Sequence, residues 1–486
     1  MKTIILLSAT LLLALFANAQ IVNIPDTNFK AALIAFGVDT SNDGEISYAE
    51  AELVTTSLNV SSLNISDMTG IEAFINLYSL SCYNNQLSSL DVSNNTDLTY
   101  LSCYQNQLTS LDASNSPALT ILLCNNNQLT NLDVSNSSVL TTLWCFENQL
   151  TSLDVSNCTV LTTLLCYNNQ LTSLDVSNST ALSNLQCNEN LLTSLDVSNN
   201  TLLTILNCNY NQLSSLDVSN NTDLTLLNCI DNQLSSLDVS NNTALLYLFC
   251  SNNPLSGLDV SNNTALITLY CENNQLTSLD ITNNIALTSL SCRANQLTIL
   301  DVSNNINLTH LACLSNQLTS LDVSNNIELT YLSIGTMSCG TNYLNCLDIS
   351  QNTLLEDIEI CNMPSLYEVC VWVLPFPPAG VIVETTSSPN IYYTTDCNCI
   401  TNIANTSIEE KKLSVYPNPT TGPITINNEE LIIKNVAVYD IYGKEVLKQE
   451  VGSQKYEVDL STQPNGIYVV KVITDKQTIT RKVIKQ

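Results

Sequence analysis

Apolar residues recur along most of this chain at a fixed spacing of 21 residues. In the repeat Leu98–Asn115, Leu101 and Cys103 alternate with Ser102 and Tyr104. This alternation predicts a short β-strand that points the first pair inward and the second pair outward. Twelve cysteines keep the spacing without an insertion: Cys82, Cys103, Cys124, Cys145, Cys166, Cys187, Cys208, Cys229, Cys250, Cys271, Cys292 and Cys313. A fixed period of this length indicates a solenoid of stacked coils.

The rest of each repeat supplies turns. An Asn stands three residues after every one of these cysteines, as Asn106 does after Cys103. Its amide can bond the backbone of its own and the neighbouring coil, which would otherwise bury polar groups without partners. Leu108 and Leu111 close the coil. A second alternation that begins at Leu111 predicts another short extended segment on the far side, because 21 residues leave no room for a helix.

The repeat resembles the leucine-rich repeat. Residues 98–108 read L-T-Y-L-S-C-Y-Q-N-Q-L, which matches L-x-x-L-x-L-x-x-N-x-L with Cys103 in place of the third Leu. The resemblance covers roughly Leu58 to Val371. It implies a mainly β fold, a leucine-rich-repeat solenoid of 21-residue coils that offers an extended concave side to partners.

The residues before the solenoid, 20–57, predict a small helical N-terminal cap. Phe29, Leu33 and Phe36 recur at helical spacing, so the segment is expected to form helix, loop, helix. The second helix is predicted less clearly, from Ala49, Leu53 and Ser57. A small helical cap of this kind is what the resemblance to internalin-like members of the repeat family implies.

The repeats lose their regularity after Cys313. Ile334 takes the cysteine place, and an insertion follows it. We expect irregular terminal turns from Cys346 to Val371, a C-terminal cap at residues 372–400 and a linker at 401–412, since the last coil must shield the apolar stack from water.

The first 19 residues predict a secretory signal peptide. Lys2 supplies the positive charge, Ile4 to Ala17 the apolar stretch, and Ala17-Asn18-Ala19 the small-residue cleavage site, so the mature chain is expected to begin at Gln20. No later stretch approaches the roughly 20 apolar residues of a membrane helix, and we expect no transmembrane segment in the mature chain.

The charge balance argues against nucleic acid as a partner. The chain has 14 Lys and Arg against 44 Asp and Glu, a net charge of −30, and Arg293 is the only basic residue between Ala31 and Glu410. Binding to phosphates needs Lys and Arg, so the solenoid would be repelled.

The twelve repeating cysteines, here called the ladder cysteines, occupy an inward strand position. Cys is a small hydrophobe that proteins often bury, and the spacing of neighbouring strands exceeds the separation that a disulfide prefers, so we expect thiols. A metal ladder is the alternative, although zinc wants four converging ligands.

One or two disulfides are expected among the C-terminal cysteines: Cys339, Cys346, Cys361, Cys370, Cys397 and Cys399.

A twelve-residue segment at 39–50, D-T-S-N-D-G-E-I-S-Y-A-E, fits the calcium loop of the EF-hand type. Gly44 stands at the sharp turn. The oxygen ligands would come from Asp39, Ser41, Asp43, Ser47, the carbonyl of Glu45, and a bidentate Glu50. The alternative is a polar connection between two helices that Asp and Ser stabilise by capping alone.

A second column of acidic residues runs through the repeats: Asp91, Asp112, Asp133, Asp154, Asp175, Asp196, Asp217, Asp238, Asp259, Asp280, Asp301 and Asp322. Like charges at strand spacing repel. We expect each Asp to accept hydrogen bonds from the turn amides of its own D-x-S-x-N segment, because that closure needs nothing external. Cations between coils are the alternative.

The outward strand positions are the candidate ligand-binding face. They carry exposed aromatic residues in three groups: Tyr83, Tyr100 and Tyr104; Trp144, Phe146 and Tyr167; and Tyr247, Phe249 and Tyr270. Amide side chains lie between the second and third groups. Flat apolar surface with polar edges suits a sugar ring or a protein partner. The alternative is that the aromatics fit strands and pack on one another. Arg293 and His310 fall on the same face and could dock an acidic group.

The sequence offers little for catalysis. His310 is the only histidine, and no motif places a nucleophile beside a base or a Gly-rich loop around a phosphate. We expect no enzyme activity.

Residues 413–486 break the period and predict a small C-terminal β-sandwich of short strands separated by turns such as Asn465-Gly466. From residue 411 onward eleven basic residues face eight acidic ones, which marks a separate module. The segments YPNPTTG at 416–422, YDIYGK at 439–444 and NGIY at 465–468, with Lys471, resemble the C-terminal sorting domain of the type IX secretion system in Bacteroidetes. The resemblance implies that the secretion machinery is a partner and that the chain reaches the cell surface or the medium.

Together these features predict a secreted or cell-surface recognition or adhesion protein that binds a protein or glycan on the concave face. The alternative is a passive structural component of a surface layer with no specific ligand.

Overall fold

The computed structural model describes residues 20–335, 342–397, 413–428, 432–441, 443–474 and 478–486. The predicted signal peptide, Cys339, Cys399 and the predicted linker at 401–412 lie outside the described residues. The chain forms two compact units, one ending at Leu245 and one beginning at Leu246.

Helix α1, Thr27–Phe36, opens the first unit. Asp26 caps it by accepting hydrogen bonds from the backbone N–H groups of Asn28 and Phe29, both at 2.9 Å. The helix ends at Gly37, whose φ of 86° lies in the left-handed region that glycine adopts without strain. Phe29 and Leu33 are buried as the helical spacing predicts, whereas Phe36 remains half exposed because it lies in the last turn.

The second helix is shorter than the sequence pattern predicts. Helix α2 is the five-residue segment Tyr48–Glu52, and a 3₁₀ turn follows at Ile71–Ala73. Leu53 is 72% exposed, and Ser57 already begins a strand, so neither belongs to a buried helical face. The prediction from Ala49, Leu53 and Ser57 was wrong because the strand that starts the solenoid begins at Ser57.

The first unit contains a parallel sheet of three-residue strands, numbered in chain order. They are β1 (Ser57–Asn59), β2 (Ser79–Ser81), β3 (Tyr100–Ser102), β5 (Ile121–Leu123), β7 (Thr142–Trp144), β8 (Thr163–Leu165), β9 (Asn184–Gln186), β10 (Ile205–Asn207) and β11 (Leu226–Asn228). Two further strands pair on the other side of the coils, β4 (Ser110–Asp112) and β6 (Asn131–Asp133). The register joins the central leucines of successive strands, as Leu80 with Leu101.

The interior of each coil is made of leucine and cysteine. Leu101, Leu108 and Cys103 are fully buried, and the same positions are buried in the other coils of the repeat. All twelve ladder cysteines are buried thiols, which confirms the prediction. Burial disfavours the thiolate and raises the pKa of Cys103 to about 12.

The Asn after each ladder cysteine ties two coils together. The Nδ2 group of Asn190 donates to the carbonyl oxygens of Cys166 and Cys187, both at 3.1 Å. Its Oδ1 accepts from the backbone N–H of Leu171 at 2.9 Å. The turn backbone is therefore satisfied by one side chain, as the sequence predicts.

A second column of buried Asn was not predicted. The Nδ2 group of Asn200 donates to the carbonyl oxygens of Val176 and Ser179 at 2.9 and 2.8 Å. The same place holds Asn in most other coils but carries Ser116, Ser137, Cys158 and Ser179 in four consecutive coils.

In the second unit the coils continue beyond Val371. Strands on the sheet that carries the aromatic residues are β12 (Tyr247–Phe249), β13 (Thr268–Tyr270), β14 (Ser289–Ser291), β15 (His310–Ala312), β16 (Tyr331–Gly335), β18 (Asp357–Ile360) and β20 (Ile382–Glu384). A second parallel sheet holds β17 (Cys346–Asp348), β19 (Glu368–Cys370) and β21 (Tyr392–Thr394).

The segment from Cys346 to Val371, expected to form irregular terminal turns, continues the stack as coils of unequal length with paired strands. Leu332 pairs with Ile358, and Ile358 pairs with Val383, so these coils are longer than 21 residues but keep an inward aliphatic side chain at the strand centre. Cys370 and Cys397 form a disulfide, which confirms the expectation of a bridge in this region. Cys346 is also disulfide-bonded.

The C-terminal module consists of two antiparallel sheets around a common core. One sheet has β22 (Leu413–Tyr416), β23 (Pro423–Asn428) and β26 (Lys455–Asp459), and the other has β24 (Ile433–Asp440), β25 (Glu445–Ser453), β27 (Gly466–Thr474) and β28 (Thr478–Lys485). Ile424, Val436 and Val470 are buried in the same cluster. The module is the predicted sandwich. Strand β25 escaped the sequence pattern because it is an edge strand that is mostly exposed.

Across the described part of the chain, none of the helices has the length and apolar composition needed to cross a bilayer.

We expect Asn190→Ala to destabilise the solenoid. The substitution leaves the N–H of Leu171 buried without an acceptor and removes one of the two amide donors from the carbonyls of Cys166 and Cys187. It should lower the free energy of unfolding by about 1–3 kcal/mol. Urea unfolding measures this change. Asn199→Ala is the matched control, because Asn199 is exposed and makes one bond, to the carbonyl of Ser177 at 3.2 Å. Equal losses in the two variants would contradict the role of the buried amide.

Candidate ligand-binding face

Within each unit, three outward side chains of every coil line up in columns with those of the neighbouring coils. One side chain lies three residues before each ladder cysteine, the second lies one residue before it, and the third lies one residue after it. We call the surface made by these side chains the sheet face. From the coil of Cys103 to that of Cys229 none of these positions carries a charged residue. A neutral surface therefore runs along the first unit of a chain whose net charge is −30.

The first aromatic group lies on the opening coils. Tyr83 and Tyr104 stack in parallel with ring centroids 4.5 Å apart. Tyr100, on the strand before Tyr104, is half-buried. Desolvation raises the pKa of Tyr104, so its phenol stays neutral well above physiological pH.

In the second aromatic group two rings stack, and a third ring carries a hydrogen-bond donor that no described residue accepts. Phe146 and Tyr167 stack at 4.4 Å, and Trp144 lies against Phe146 at 6.2 Å with the rings tilted by 45°. All three side chains are half-buried. The indole Nε1 of Trp144 is buried and has no hydrogen-bond partner among the described residues.

The third group belongs to the second unit. Phe249 meets Tyr270 edge to face at 5.3 Å, and the Tyr270 hydroxyl lies 3.2 Å from Oγ of Ser289. Tyr247 is 37% exposed. In all three groups the rings pack on one another, as the packing interpretation expects, while part of each ring surface stays open to solvent.

Arg293 and His310 do not form a free acid-binding pair. The Arg293 guanidinium lies 2.8 Å from a carboxylate oxygen of Glu272, in the same column one coil earlier. Ser291 also donates to that carboxylate. The charge of Arg293 is therefore balanced within the chain. His310 bonds Thr309 at 2.9 Å and stacks on Tyr331.

The repeated Asp side chains close turns, as the D-x-S-x-N pattern predicts. Oδ1 of Asp196 accepts from the backbone N–H of Ser198 at 2.9 Å, and the other members of the column do the same within their own segments. The hydroxyl and backbone N–H of Ser198 lower the pKa of Asp196, so the carboxylate is stabilised in its charged form.

In the loop at 39–50, carboxylate side chains accept hydrogen bonds from backbone N–H groups of the same loop. Oε1 of Glu50 accepts from the N–H groups of Thr40 and Ser41, and Oε2 accepts from the N–H of Ser47, all at 2.9 Å. Ser47 in turn caps α2 through the backbone N–H of Glu50. Asp39 accepts from the N–H of Gly44 at 2.9 Å.

This arrangement is that of the capping interpretation. Ser47 and Glu50 are bonded to each other, and the ammonium of Lys30 pairs with the Glu45 carboxylate at 2.6 Å. Calcium ligation by Asp39, Ser41, Asp43, Glu45, Ser47 and Glu50 stays a prediction.

Within the described ranges, one group brings three His, Cys, Asp or Glu ligand atoms within 4.8 Å of one another, namely Asp348, Cys370 and Cys397. The two cysteines of this group are joined to each other in a disulfide, so they do not offer thiolates to a metal.

Acid should weaken the N-terminal cap through Glu50. The hydrogen bond from the backbone of Ser47 is the largest cause that lowers the pKa of Glu50, to about 2 from the ordinary 4.5. Because the folded pKa is below the unfolded one, the stabilisation is complete above pH 4.5 and is lost as the pH falls towards 2. We expect the melting temperature of wild type to exceed that of Glu50→Gln at pH 7. This difference in melting temperature should vanish as the pH falls from 4.5 to 2. A difference that is independent of pH would contradict this assignment.

Calcium binding is tested by calorimetric titration of the mature chain with calcium chloride. If the loop binds the ion, wild type releases heat that Glu50→Gln does not. A wild type without calcium-dependent heat would leave capping as the role of the loop.

Comparison with known proteins identifies the C-terminal module and the fold of the solenoid. The model of the secretion system C-terminal sorting domain matches residues 414–486. A search of curated proteins gives no match to this chain.

Among solved structures, the functional domain of InlJ from Listeria monocytogenes, described as including a cysteine ladder, is 29% identical with a TM-score of 0.60, over 96% of this chain and 100% of that one. A leucine-rich-repeat protein from Leptospira interrogans is 24% identical with a TM-score of 0.54, over 64% and 91%. An internalin from Listeria monocytogenes is 23% identical with a TM-score of 0.47, over 77% and 96%.

The sorting domain indicates a protein that is secreted or held at the outer-membrane cell surface. The chain is thus a leucine-rich-repeat solenoid with internalin-like structural neighbours, followed by a type IX secretion C-terminal sorting domain.

Proposed function

We propose that this protein recognises a protein or glycan ligand outside the cell through the sheet face, by surface complementarity and without catalysis. The sorting domain supports the location, and the leucine-rich-repeat fold supports a binding role, because solenoids of this kind present extended surfaces to partners. The secretion machinery is the second partner, which the sorting domain engages during export.

The second aromatic group carries the proposal. Trp144, Phe146 and Tyr167 lie in two columns whose residue types vary from coil to coil, and each leaves part of its ring open to solvent. Aromatic side chains in this position supply large contact area for a partner at a small cost in conformational entropy. The Trp144 indole N–H adds a donor that the described chain does not use.

A passive role in a surface layer is the second candidate. The observation that favours it is the ring-on-ring packing of Phe146 with Tyr167 and of Tyr83 with Tyr104, which gives the aromatics a structural role without any ligand. In that case binding to soluble ligands would be absent.

Replacing Trp144 and Phe146 together by Ala should weaken ligand binding while the fold survives, because neither side chain belongs to the buried leucine and cysteine interior. Protein and glycan arrays probed with the mature chain measure this effect, and we expect a loss of at least about tenfold in affinity. The matched control is Tyr78→Ala, which removes an aromatic ring that is 48% exposed and lies off the sheet face.

Equal binding by wild type and the double variant would remove the aromatic group from the ligand site. The absence of any ligand for wild type on both arrays would favour the surface-layer role.

A further inference from the structure

Four amide oxygens on the sheet face of the first unit are buried without a hydrogen-bond partner among the described residues. One is Oδ1 of Asn125, and the other three lie on two adjacent coils, the Oδ1 atoms of Asn188, Asn207 and Asn209. Asn207 and Asn209 flank the ladder cysteine Cys208, and Asn188 stands one coil earlier in the column of Asn209. An unpartnered buried acceptor costs about 1–3 kcal/mol, so folded proteins keep few of them.

Their position separates these amides from the interior ones. Asn200 and Asn221 also hold unpartnered oxygens, but they are fully buried, and their Nδ2 groups bond backbone carbonyls between coils. A ligand cannot reach them. Asn207 and Asn209 are half-buried and Asn188 is 8% exposed, and all three lie among the outward side chains, where an approaching ligand can supply the missing donors.

A stacked aromatic pair adjoins the amides. Tyr167 stands one coil before Asn188 in the same column, and it stacks on Phe146 with an interplanar angle of 10°. Each ring covers one face of the other, so the pair offers its partly exposed apolar edges to solvent, and the unpartnered indole N–H of Trp144 belongs to the same coil as Phe146. The unused donor and these three unused acceptors therefore lie in two neighbouring columns, one of which holds the stacked pair.

The charges around this surface select against ionic partners. The sheet face carries no charged residue over these coils, and Glu147 and Glu189 follow it at the adjoining turn position. An anionic ligand would be repelled, and a protein partner steered by charge would find no complementary charge on the face itself. A hydroxyl both donates and accepts, so it can satisfy the indole N–H as well as the amide oxygens.

We propose that this surface, from Trp144 to Asn209, binds a neutral, hydroxyl-rich glycan. Sugar rings pack against Phe146 and Tyr167, and their hydroxyls donate to Asn188, Asn207 and Asn209. This inference rests on the proposed function and narrows its ligand to one chemical class.

The test is affinity electrophoresis of the mature chain through gels that contain one polysaccharide each. Dextran, laminarin, xyloglucan and galactomannan are the neutral probes, and alginate and polygalacturonate are the anionic ones. We expect at least one neutral polysaccharide to retard wild type, and neither anionic one to do so. Asn207→Leu combined with Asn209→Leu should weaken that binding at least about tenfold.

The double variant is informative because it should not unfold the chain. Removing two unpartnered amides takes away a desolvation cost, so its urea midpoint should equal or exceed that of wild type. Asn220→Leu is the matched control, since Asn220 is exposed on the Asp side and bonds only the carbonyl of Ser198, at 3.2 Å. We expect it to bind as wild type does.

Retardation by the anionic probes alone, by none of the probes, or equally for wild type and the Asn207 and Asn209 double variant would overturn the glycan inference. A protein ligand that depends on Trp144 and Phe146, found while all neutral probes fail, would overturn it as well and leave the proposed function standing.

Discussion

The solenoid depends on one side-chain amide per coil, that of the Asn three residues after the ladder cysteine. Strands of three residues and backbone bonds between neighbouring turns satisfy much of each coil, but they leave groups such as the N–H of Leu171 that only a side chain reaches. The amide of Asn190 supplies what the turns lack, because it donates to carbonyls of two coils and accepts from a third segment. With the backbone satisfied in this way, leucine and cysteine can fill the interior, and the outward residues are free to vary.

Much of this follows from the sequence, because each interior requirement is repeated twelve times. A single leucine or cysteine would be ambiguous, but twelve in one register leave only an inward strand position. The Asp turns were also foreseen, since D-x-S-x-N contains both the acceptor and the donor. The continuation of coils past Val371 was not, because the insertion after Ile334 shifts the period and no ladder cysteine marks the later strands.

The contacts of side chains on the sheet face could not be predicted from the repeat pattern alone. Alternation predicts the direction of Trp144 and Arg293, but their contacts depend on distances between coils. One signal was available. Residues that are 21 apart in the sequence are neighbours in a column. The spacing therefore predicts that Glu272 lies next to Arg293 and that Tyr83 lies next to Tyr104. The unpartnered state of Asn207 and Asn209 has no such signal, because it reflects what the surrounding side chains fail to reach.

The second column of buried Asn makes the hydrogen bonding between coils differ along the solenoid. It is interrupted at Ser116, Ser137, Cys158 and Ser179, and the hydroxyls of Ser116 and Ser137 have no partner among the described residues. Asn200 makes two hydrogen bonds between coils from this position, and a shorter Ser or Cys side chain cannot make both. Trp144, Phe146 and Tyr167 lie on these same coils. Between these coils the first Asn column and the strands therefore carry a larger share of the hydrogen bonding than they do where the second Asn column is complete.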